Sequence, residues 1–286
     1  MVTPFRADGA VDFERFRELA TFLVENGSDG LVVCGTTGES PTLTDDEKLD
    51  LFRAAVETIG DRASVIAGTG TYDTGHSAHL TQRAAKLGID GILVVTPYYN
   101  KPPQRAIVRH FEEIAGATDL PVIAYNVPSR VVVDIESATI ARLAEIENVV
   151  AVKQAYDDLD EARFIAEETR LDLYSGDDPI TFDFLELGGV GVVSVTAHLW
   201  GPQIADMIRR YREGDVDGAH AIHEELQPSY DLLRIQTNPI PIKAALNLTG
   251  HDVGGHRLPM VEADEAELAQ IRSCLERSGM LAAASA

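Results

Sequence analysis

Short runs of apolar, mostly β-branched residues recur along the chain and are separated by longer stretches of mixed polarity. Seven runs are predicted to be strands: Gly30–Cys34, Ser64–Gly68, Gly91–Thr96, Pro121–Asn126, Asn148–Lys153, Leu171–Gly176 and Val190–Val195. They are continuously apolar and do not alternate with polar residues, which is typical of strands covered on both faces. Successive runs begin about 20 to 35 residues apart, which is the spacing of β-α-β units in a parallel sheet.

The stretches between these runs have the periodicity and the end signals of amphipathic helices. Thr44 and Glu47 have capping-box spacing at the start of one helix. Asp178 followed by Pro179 predicts an N-cap and a first-turn proline for a helix that ends at Leu187. The helix with the capping box is predicted at Thr44–Thr58, and further helices are predicted at Asp12–Glu25, Gln203–Glu213, Ala219–Arg234, Ile240–Leu248 and Asp264–Arg277.

This alternation of strands and helices predicts an α/β fold. The opening segment Met1–Phe5 could supply an eighth strand, and eight strands with their helices over about 215 residues fit a (β/α)8, or TIM, barrel. A doubly wound open sheet is the alternative, but the nearly uniform connections mark no switch point. We therefore expect a (β/α)8 TIM barrel over residues 1–214, with a small C-terminal helical appendage over residues 215–286 that packs on the barrel.

Composition and charge narrow the function classes. The 286 residues are 45% hydrophobic, which supports a sizeable core. No membrane-spanning run and no signal peptide are found, and Cys34 and Cys274 form no CxxC pattern. These features suit a cytoplasmic protein. The net charge of −22 and the lack of a basic patch argue against binding to nucleic acid.

Candidate chemistry lies where the predicted strands end, because a barrel carries its active site at that face. These ends supply one ammonium, three tyrosines, two adjacent threonines, a glycine-rich turn and an arginine, with no histidine or metal-ligand cluster. The segments are Cys34–Thr42, Thr96–Pro102, Tyr125–Arg130, Lys153 and Ser175–Asp178. We expect no metal and no organic cofactor.

Lys153, at the end of "NVVAVK", is the strongest candidate. A lysine in such a place can lay its stem on the core and extend its charged head to water. Burial at a strand end disfavours the charged form, however, and a neutral amine is what a Schiff-base nucleophile needs. Tyr125 ends the preceding strand and is either a core phenol or a proton carrier for whatever Lys153 binds.

The remaining polar motifs are each open to a simpler interpretation. "GTTGE" could be only a tight turn, or its backbone with Thr36 and Thr37 could bind a carboxylate. The pairs His76/His79 and His220/His223 are interpreted as solvated helix faces. Asp177 and Asp178 could bind a cation, although helix capping is favoured.

Several of these motifs resemble those of the dihydrodipicolinate synthase / N-acetylneuraminate lyase family. They are "GTTGES" (Gly35–Ser40), "VTPYYNKP" (Val95–Pro102), "YNVPSR" (Tyr125–Arg130), the strand-terminal Lys153, "GDD", "GVVSVTAH" and "NPIPIKAAL" (Asn238–Leu246). The resemblance covers nearly the whole chain in order and implies a TIM barrel with lysine-dependent aldolase chemistry and no cofactor. Its closest match is to members that condense pyruvate with L-aspartate-4-semialdehyde in the diaminopimelate route to lysine.

The resemblance also implies roles for the catalytic residues. Lys153 would form the Schiff base with pyruvate, and Tyr125 would donate and accept protons. Thr36 would connect Tyr125 to Tyr99 in a proton relay. Tyr99 would come from a neighbouring subunit, and the family pattern implies a homotetramer built as a dimer of dimers.

Substrate binding is assigned in the same way. Thr37 would hold the pyruvate carboxylate, and Val193 would help to line the pyruvate site. Gly176, in the "GDD" motif, is also placed among the substrate-binding residues. Arg130 is either a surface arginine or a bidentate anchor for the carboxylate of the semialdehyde.

The sequence is compatible with three alternative activities. An aldolase for a keto-deoxy sugar acid or N-acetylneuraminate is disfavoured by Arg130, because sugar-acid lyases of the family lack "PSR" after the tyrosine. A non-catalytic keto-acid sensor is disfavoured by the complete set of predicted catalytic residues. A metal-dependent aldolase is disfavoured because the strand ends lack metal ligands.

The chain departs from the family pattern at a few positions. Gln154 replaces the usual acidic residue after the lysine, and Val131–Val132 replace Thr-Gly after "PSR". The family usually has several residues before "VTPF", so we expect either a misassigned start or a shortened barrel wall. Asp45 and Lys48 occupy the stretch where lysine-sensitive relatives carry histidines, which predicts weak or absent inhibition by lysine.

Overall fold

The structure is a computed structural model that describes residues 1–282. The strands of these residues are β1 (Gly30–Val33), β2 (Ser64–Gly68), β3 (Gly91–Val95), β4 (Val122–Asn126), β5 (Val149–Gln154), β6 (Asp172–Ser175) and β7 (Gly191–Val192). The helices are α1 (Phe13–Glu25), α2 (Asp45–Ile59), α3 (Thr74–Ala84), α4 (Gln104–Ala115), α5 (Pro128–Val131), α6 (Ser137–Leu143), α7 (Leu159–Glu168), α8 (Thr181–Glu186), α9 (Ala197–Arg212), α10 (Val216–Glu225), α11 (Gln227–Arg234), α12 (Ile240–Leu248) and α13 (Glu265–Arg277). No helix within this range is both long enough and apolar enough to cross a membrane.

All seven apolar runs form strands, so the predicted α/β class is confirmed. Met1–Phe5, which could supply an eighth strand, is not assigned as a strand within the described residues. This segment contributes an isolated antiparallel bridge between Phe5 and Val11. Met1 donates its amino group to the Val32 carbonyl of β1 over 2.7 Å, and the Pro4 carbonyl accepts the N–H of Asp12 over 2.9 Å. The segment therefore contacts both β1 and the residues that follow it. The closed eight-stranded barrel stays a prediction.

The chain divides into two compact units, and the second consists of residues 64–194. The first unit contains β1, α1, α2 and the helices from α9 onward, and the second contains β2 to β7 and α3 to α8. The predicted boundary between residues 214 and 215 stays a prediction. Residues 283–286 of the predicted helical appendage lie outside the described residues.

In the second unit, β2 to β7 pair in parallel and in chain order. One row across this sheet contains Val95, Tyr125, Lys153, Tyr174 and Gly191. The preceding row is apolar and buried, which anchors the strands in the core. Parallel pairing in register therefore brings the carboxyl ends of these strands to one edge.

Some helix predictions are confirmed closely, and others differ in their bounds. Thr44 and Glu47 form the expected capping box of α2, and α12 has the predicted bounds. The helix predicted from Gln203 begins earlier, as α9. The segment predicted as one helix from Ala219 lies in α10 and α11, which separate at Leu226, and a proline stands in the first turn of α11.

Asp178 does not cap the following helix, contrary to the prediction. It lies in a short 3₁₀ turn, Asp178–Ile180, whose N-cap residue is Asp177. The Asp178 carboxylate is buried and accepts a hydrogen bond from the hydroxyl of Ser194. The carboxylate therefore ties the end of β6 to the residues that follow β7, while α8 begins after Ile180.

Candidate active site

Lys153 and Tyr125, which we call the strand-end pair, lie side by side in the second unit. Tyr125 on β4 is directly opposite Lys153 on β5. Both are buried, at 5% and 9% exposure, and Lys153 Nζ lies 4.2 Å from the centre of the Tyr125 ring. Thr96 holds the carbonyl of Tyr125 by hydrogen bonds from its backbone N–H and its hydroxyl, over 3.0 and 2.9 Å. The pair is thus built on strands rather than on flexible loops.

Tyr174 lies beside Lys153, and Gly176 and Val193 lie at the carboxyl ends of β6 and β7. Tyr174 stands opposite Lys153 in the register of β5 and β6, and the sequence analysis did not single it out. Gly176 donates its N–H to the Gln154 carbonyl over 2.8 Å. A Cβ at Gly176 would lie 2.7 Å from that of Ala155, so only glycine permits this approach. Val193 donates its N–H to the Ser175 carbonyl over 2.8 Å.

Tyr99 and Arg130 lie on connections that follow strands. Tyr99 comes after β3, has a φ of 71° and is 90% exposed. A left-handed conformation at a bulky residue is costly, and an exposed aromatic ring makes little contact with its own chain to offset that cost. Arg130 is exposed in the short helix α5, where its N–H donates to the Val127 carbonyl.

Thr36 and Thr37 lie in the first unit, in the turn after β1. The carbonyl of Thr36 accepts the N–H of Glu39 over 3.1 Å, which closes the turn. The hydroxyl of Thr37 accepts a hydrogen bond from Asn238 Nδ2 over 2.8 Å. Because this oxygen is already an acceptor, its own proton is available for another acceptor, such as a carboxylate. The relay through Thr36 and the carboxylate contact of Thr37 stay predictions.

A buried ion pair anchors the same turn. Lys243 Nζ on α12 lies 2.8 Å from Glu39 Oε1, and both side chains are 1% exposed. Glu39 has a φ of 55° and also accepts the backbone N–H of Arg257 over 3.2 Å. His256 Nδ1 lies 3.1 Å from Glu39 Oε1. The sequence analysis missed this network, although a lysine within the apolar stretch "IPIKAAL" was a visible signal.

A second network missed by the sequence analysis lies on the other face of β4 and β5. We call Asn126, Gln154, Glu161 and Asp134 the rear cluster. Gln154 Nε2 donates to Glu161 Oε2 over 2.6 Å, and Asn126 Nδ2 donates to Asp134 Oδ1 over 2.7 Å. Burial, together with the nearby carboxylate of Asp134, raises the pKa of Glu161 to about 7. An ionisable group with a near-neutral pKa therefore lies behind the strand-end pair.

Within residues 1–282, no three His, Cys, Asp or Glu side chains are grouped so that they could hold a metal ion. The pair His220/His223 instead packs ring against ring, with centroids 6.2 Å apart.

The parallel sheet and its strand-end pair define a class of α/β enzyme that presents a lysine and a tyrosine together at the carboxyl edge. The model of the Dihydrodipicolinate synthetase family matches residues 1–278. The chain belongs to this family, and the membership predicted from the motifs is confirmed.

Individual relatives agree with this assignment. A protein of Moorella thermoacetica named 4-hydroxy-tetrahydrodipicolinate synthase is 50% identical over 283 residues, which cover 98% of this chain and 97% of the relative. A protein of the same name from Heliobacterium modesticaldum is 50% identical over 282 residues, covering 98% and 94%. The solved structure of dihydrodipicolinate synthase from Cyanidioschyzon merolae with lysine bound matches with a TM-score of 0.96 and 43% identity. It covers 98% of this chain and 97% of that one.

Proposed function

We propose that this chain condenses pyruvate with L-aspartate-4-semialdehyde to 4-hydroxy-tetrahydrodipicolinate through a Schiff base on Lys153. The observation that carries the proposal is the buried amine of Lys153 beside the ring of Tyr125. The names and the near-complete coverage of the curated relatives support the choice of substrates.

The chemistry follows from an amine nucleophile with a proton carrier beside it. The Lys153 amine attacks the keto carbon of pyruvate, and water leaves as the iminium forms. The iminium withdraws electrons, so the pyruvate methyl group loses a proton and becomes an enamine carbon. This carbon attacks the aldehyde, and the amino group of the semialdehyde then attacks the imine carbon. Ring closure releases Lys153, and the Tyr125 hydroxyl moves the protons.

Substrate placement is assigned to Thr37, Arg130, Gly176 and Val193. Thr37 binds the pyruvate carboxylate with the proton that its contact to Asn238 leaves available. Arg130, exposed on α5, grips the carboxylate of the semialdehyde. Gly176 and Val193 line the site from the ends of β6 and β7.

Tyr99 is assigned to the active site of a neighbouring subunit, with Thr36 relaying protons between it and Tyr125. Its exposed ring and left-handed backbone support a contact made outside its own chain. This arrangement requires an oligomer, and we propose a homotetramer built from two dimers. Both cysteines are free and buried, which suits a cytoplasmic location.

The test is turnover of pyruvate with aspartate semialdehyde, coupled to a reductase that oxidises NADPH when product forms. Robust activity that disappears in Lys153→Ala supports both the acceptor and the nucleophile. Without turnover, borohydride trapping with pyruvate is decisive. An adduct on Lys153 would indicate another acceptor, such as a sugar acid, whereas no adduct would contradict lysine-based catalysis.

A further inference from the structure

The strand ends that carry the strand-end pair are supported from behind by the rear cluster. Successive side chains of a strand point to opposite faces. Asn126 and Gln154 each follow a member of the strand-end pair by one residue, so they face the other way, and the register places them side by side. Both are completely buried. A shift of either amide therefore shifts the backbone that carries Tyr125 or Lys153.

Glu161 is the group that these two amides share. It lies in the first turn of α7, is 6% exposed, and accepts from Gln154 Nε2 over 2.6 Å. Asn126 Nδ2 approaches the same oxygen at 3.5 Å. Asn126 is oriented further by Asp134, and by Ile135, whose N–H donates to Asn126 Oδ1 over 3.1 Å.

Gln154 depends on Glu161 more strongly than Asn126 does. Its Oε1 atom is buried and has no hydrogen-bond partner within residues 1–282. The contact with Glu161 is the side-chain hydrogen bond that orients the Gln154 amide in the described structure. Because an unoriented buried amide is costly, loss of this contact would let the end of β5 relax.

We propose that Glu161 is a positioning residue for the reaction proposed above, and this inference rests on that function. Glu161 holds the ends of β4 and β5 through Asn126 and Gln154, and thereby sets the placement of the strand-end pair. It touches no substrate and acts only through these two amides. A displacement of a nucleophile by about 1 Å can reduce a rate by about 100-fold, so this support matters for catalysis.

The charge on Glu161 makes the support depend on pH. The ionised carboxylate is a stronger acceptor for the two amide N–H groups than the neutral acid is, because hydrogen bonds to a charged group are stronger than those to a neutral one. Burial raises the pKa of Glu161, and the facing carboxylate of Asp134 adds to this. Asp158 at the N-cap of its own helix and Glu136 act in the same direction, and the hydrogen bond from Gln154 opposes them. The aligned, ionised form is therefore favoured above a pH of about 7.

The decisive variant is Glu161→Gln, which keeps the size and removes the charge. At pH 8 we expect kcat to fall about tenfold, while KM for pyruvate stays within about twofold. The difference in kcat should shrink at pH 6, where wild-type Glu161 is largely protonated. The stability of the variant should not fall together with kcat. Because the variant has no buried charge at this position, its Tm at pH 8 should equal or exceed that of wild type.

Two further variants make the test specific. Glu167→Gln removes the same charge from an exposed position of α7 and should match wild type at every pH. The double variant Gln154→Glu/Glu161→Gln exchanges amide and carboxylate across the 2.6 Å contact and should recover most of kcat.

The outcomes separate this inference from the function on which it rests. If wild type turns over and Glu161→Gln has the pH profile of Glu167→Gln, the positioning role is wrong and the proposed function stands. If KM rises as much as kcat falls, Glu161 acts on binding and the inference is also wrong. A wild-type enzyme that neither turns over nor traps pyruvate with borohydride would overturn both.

Discussion

Lys153 Nζ lies 4.2 Å from the centre of the Tyr125 ring, and the two residues are directly opposite each other on adjacent parallel strands. Their proximity is therefore set by sheet register and not by the conformation of a loop. Groups held on rigid strands lose little freedom when a substrate binds, which favours catalysis.

Tyr125→Phe keeps the ring against Lys153 and removes only the proton carrier. We expect kcat for the condensation to fall by about 10² to 10³. Borohydride should still trap pyruvate on Lys153, but more slowly, because the amine remains. Tyr211→Phe, which removes a phenol from α9, is the matched control and should keep wild-type turnover. Near-wild-type turnover in Tyr125→Phe would contradict the proton-transfer role.

Mixed oligomers test whether Tyr99 serves a neighbouring subunit. Lys153→Ala and Tyr99→Phe should each lose most activity as pure proteins. When the two are unfolded together and refolded, hybrid assemblies pair an intact Lys153 with an intact Tyr99 and should regain turnover in the coupled assay. Absence of recovery, with mixed assembly verified by mass spectrometry, would place Tyr99 outside the partner's site.

Gly176→Ala should damage the site by steric contact. The added methyl group would lie 2.7 Å from Ala155 Cβ and 3.0 Å from Ala155 N and Cα, so the ends of β5 and β6 must separate. We expect a loss of about 1–3 kcal/mol in the free energy of unfolding and a lower kcat. Gly75→Ala is the control, because its nearest neighbour is at an ordinary 3.5 Å. Equal urea midpoints for the two variants would contradict the steric argument.

The buried imidazole of His198 should make the protein sensitive to acid. Its Nε2 accepts from the Val2 N–H over 3.0 Å, its Nδ1 lies 2.7 Å from the Val195 carbonyl, and burial lowers its pKa to about 3. Below the ordinary pKa of about 6.5, the unfolded chain binds a proton that the folded chain cannot accept. His198 should therefore reduce the free energy of unfolding by about 2 kcal/mol between pH 7 and pH 5.

The check is chemical denaturation at both pH values. His198→Gln should be less stable at pH 7 but should lose less stability on acidification than wild type. His79→Gln, at an exposed helical position, should retain the wild-type pH dependence. If the two variants respond to acid in the same way, the buried histidine is not responsible.

Local patterns in the sequence predicted the strands and the strongest helix starts. A continuously apolar run is apolar on both faces of a strand, so it is stable only in a sheet that is covered on both sides. Each of the seven runs forms a strand. Thr44 and Glu47 act within one helical turn, and their capping box needed no tertiary information. Asp178 shows the limit of local reasoning, because Ser194, sixteen positions later, engages the carboxylate that capping would have used.

The two lysines in apolar stretches show most clearly what the sequence determines and what only the tertiary structure determines. The sequence alone establishes that Lys153 and Lys243 each interrupt an apolar stretch. Burying an ammonium group costs free energy unless a partner compensates for the lost hydration. Only the folded chain separates their roles. Lys243 neutralises the buried carboxylate of Glu39 at 2.8 Å, whereas Lys153 stands beside Tyr125 at the carboxyl ends of parallel strands. Partners distant in sequence decide the state of a buried charge, and pattern along the chain does not specify those partners.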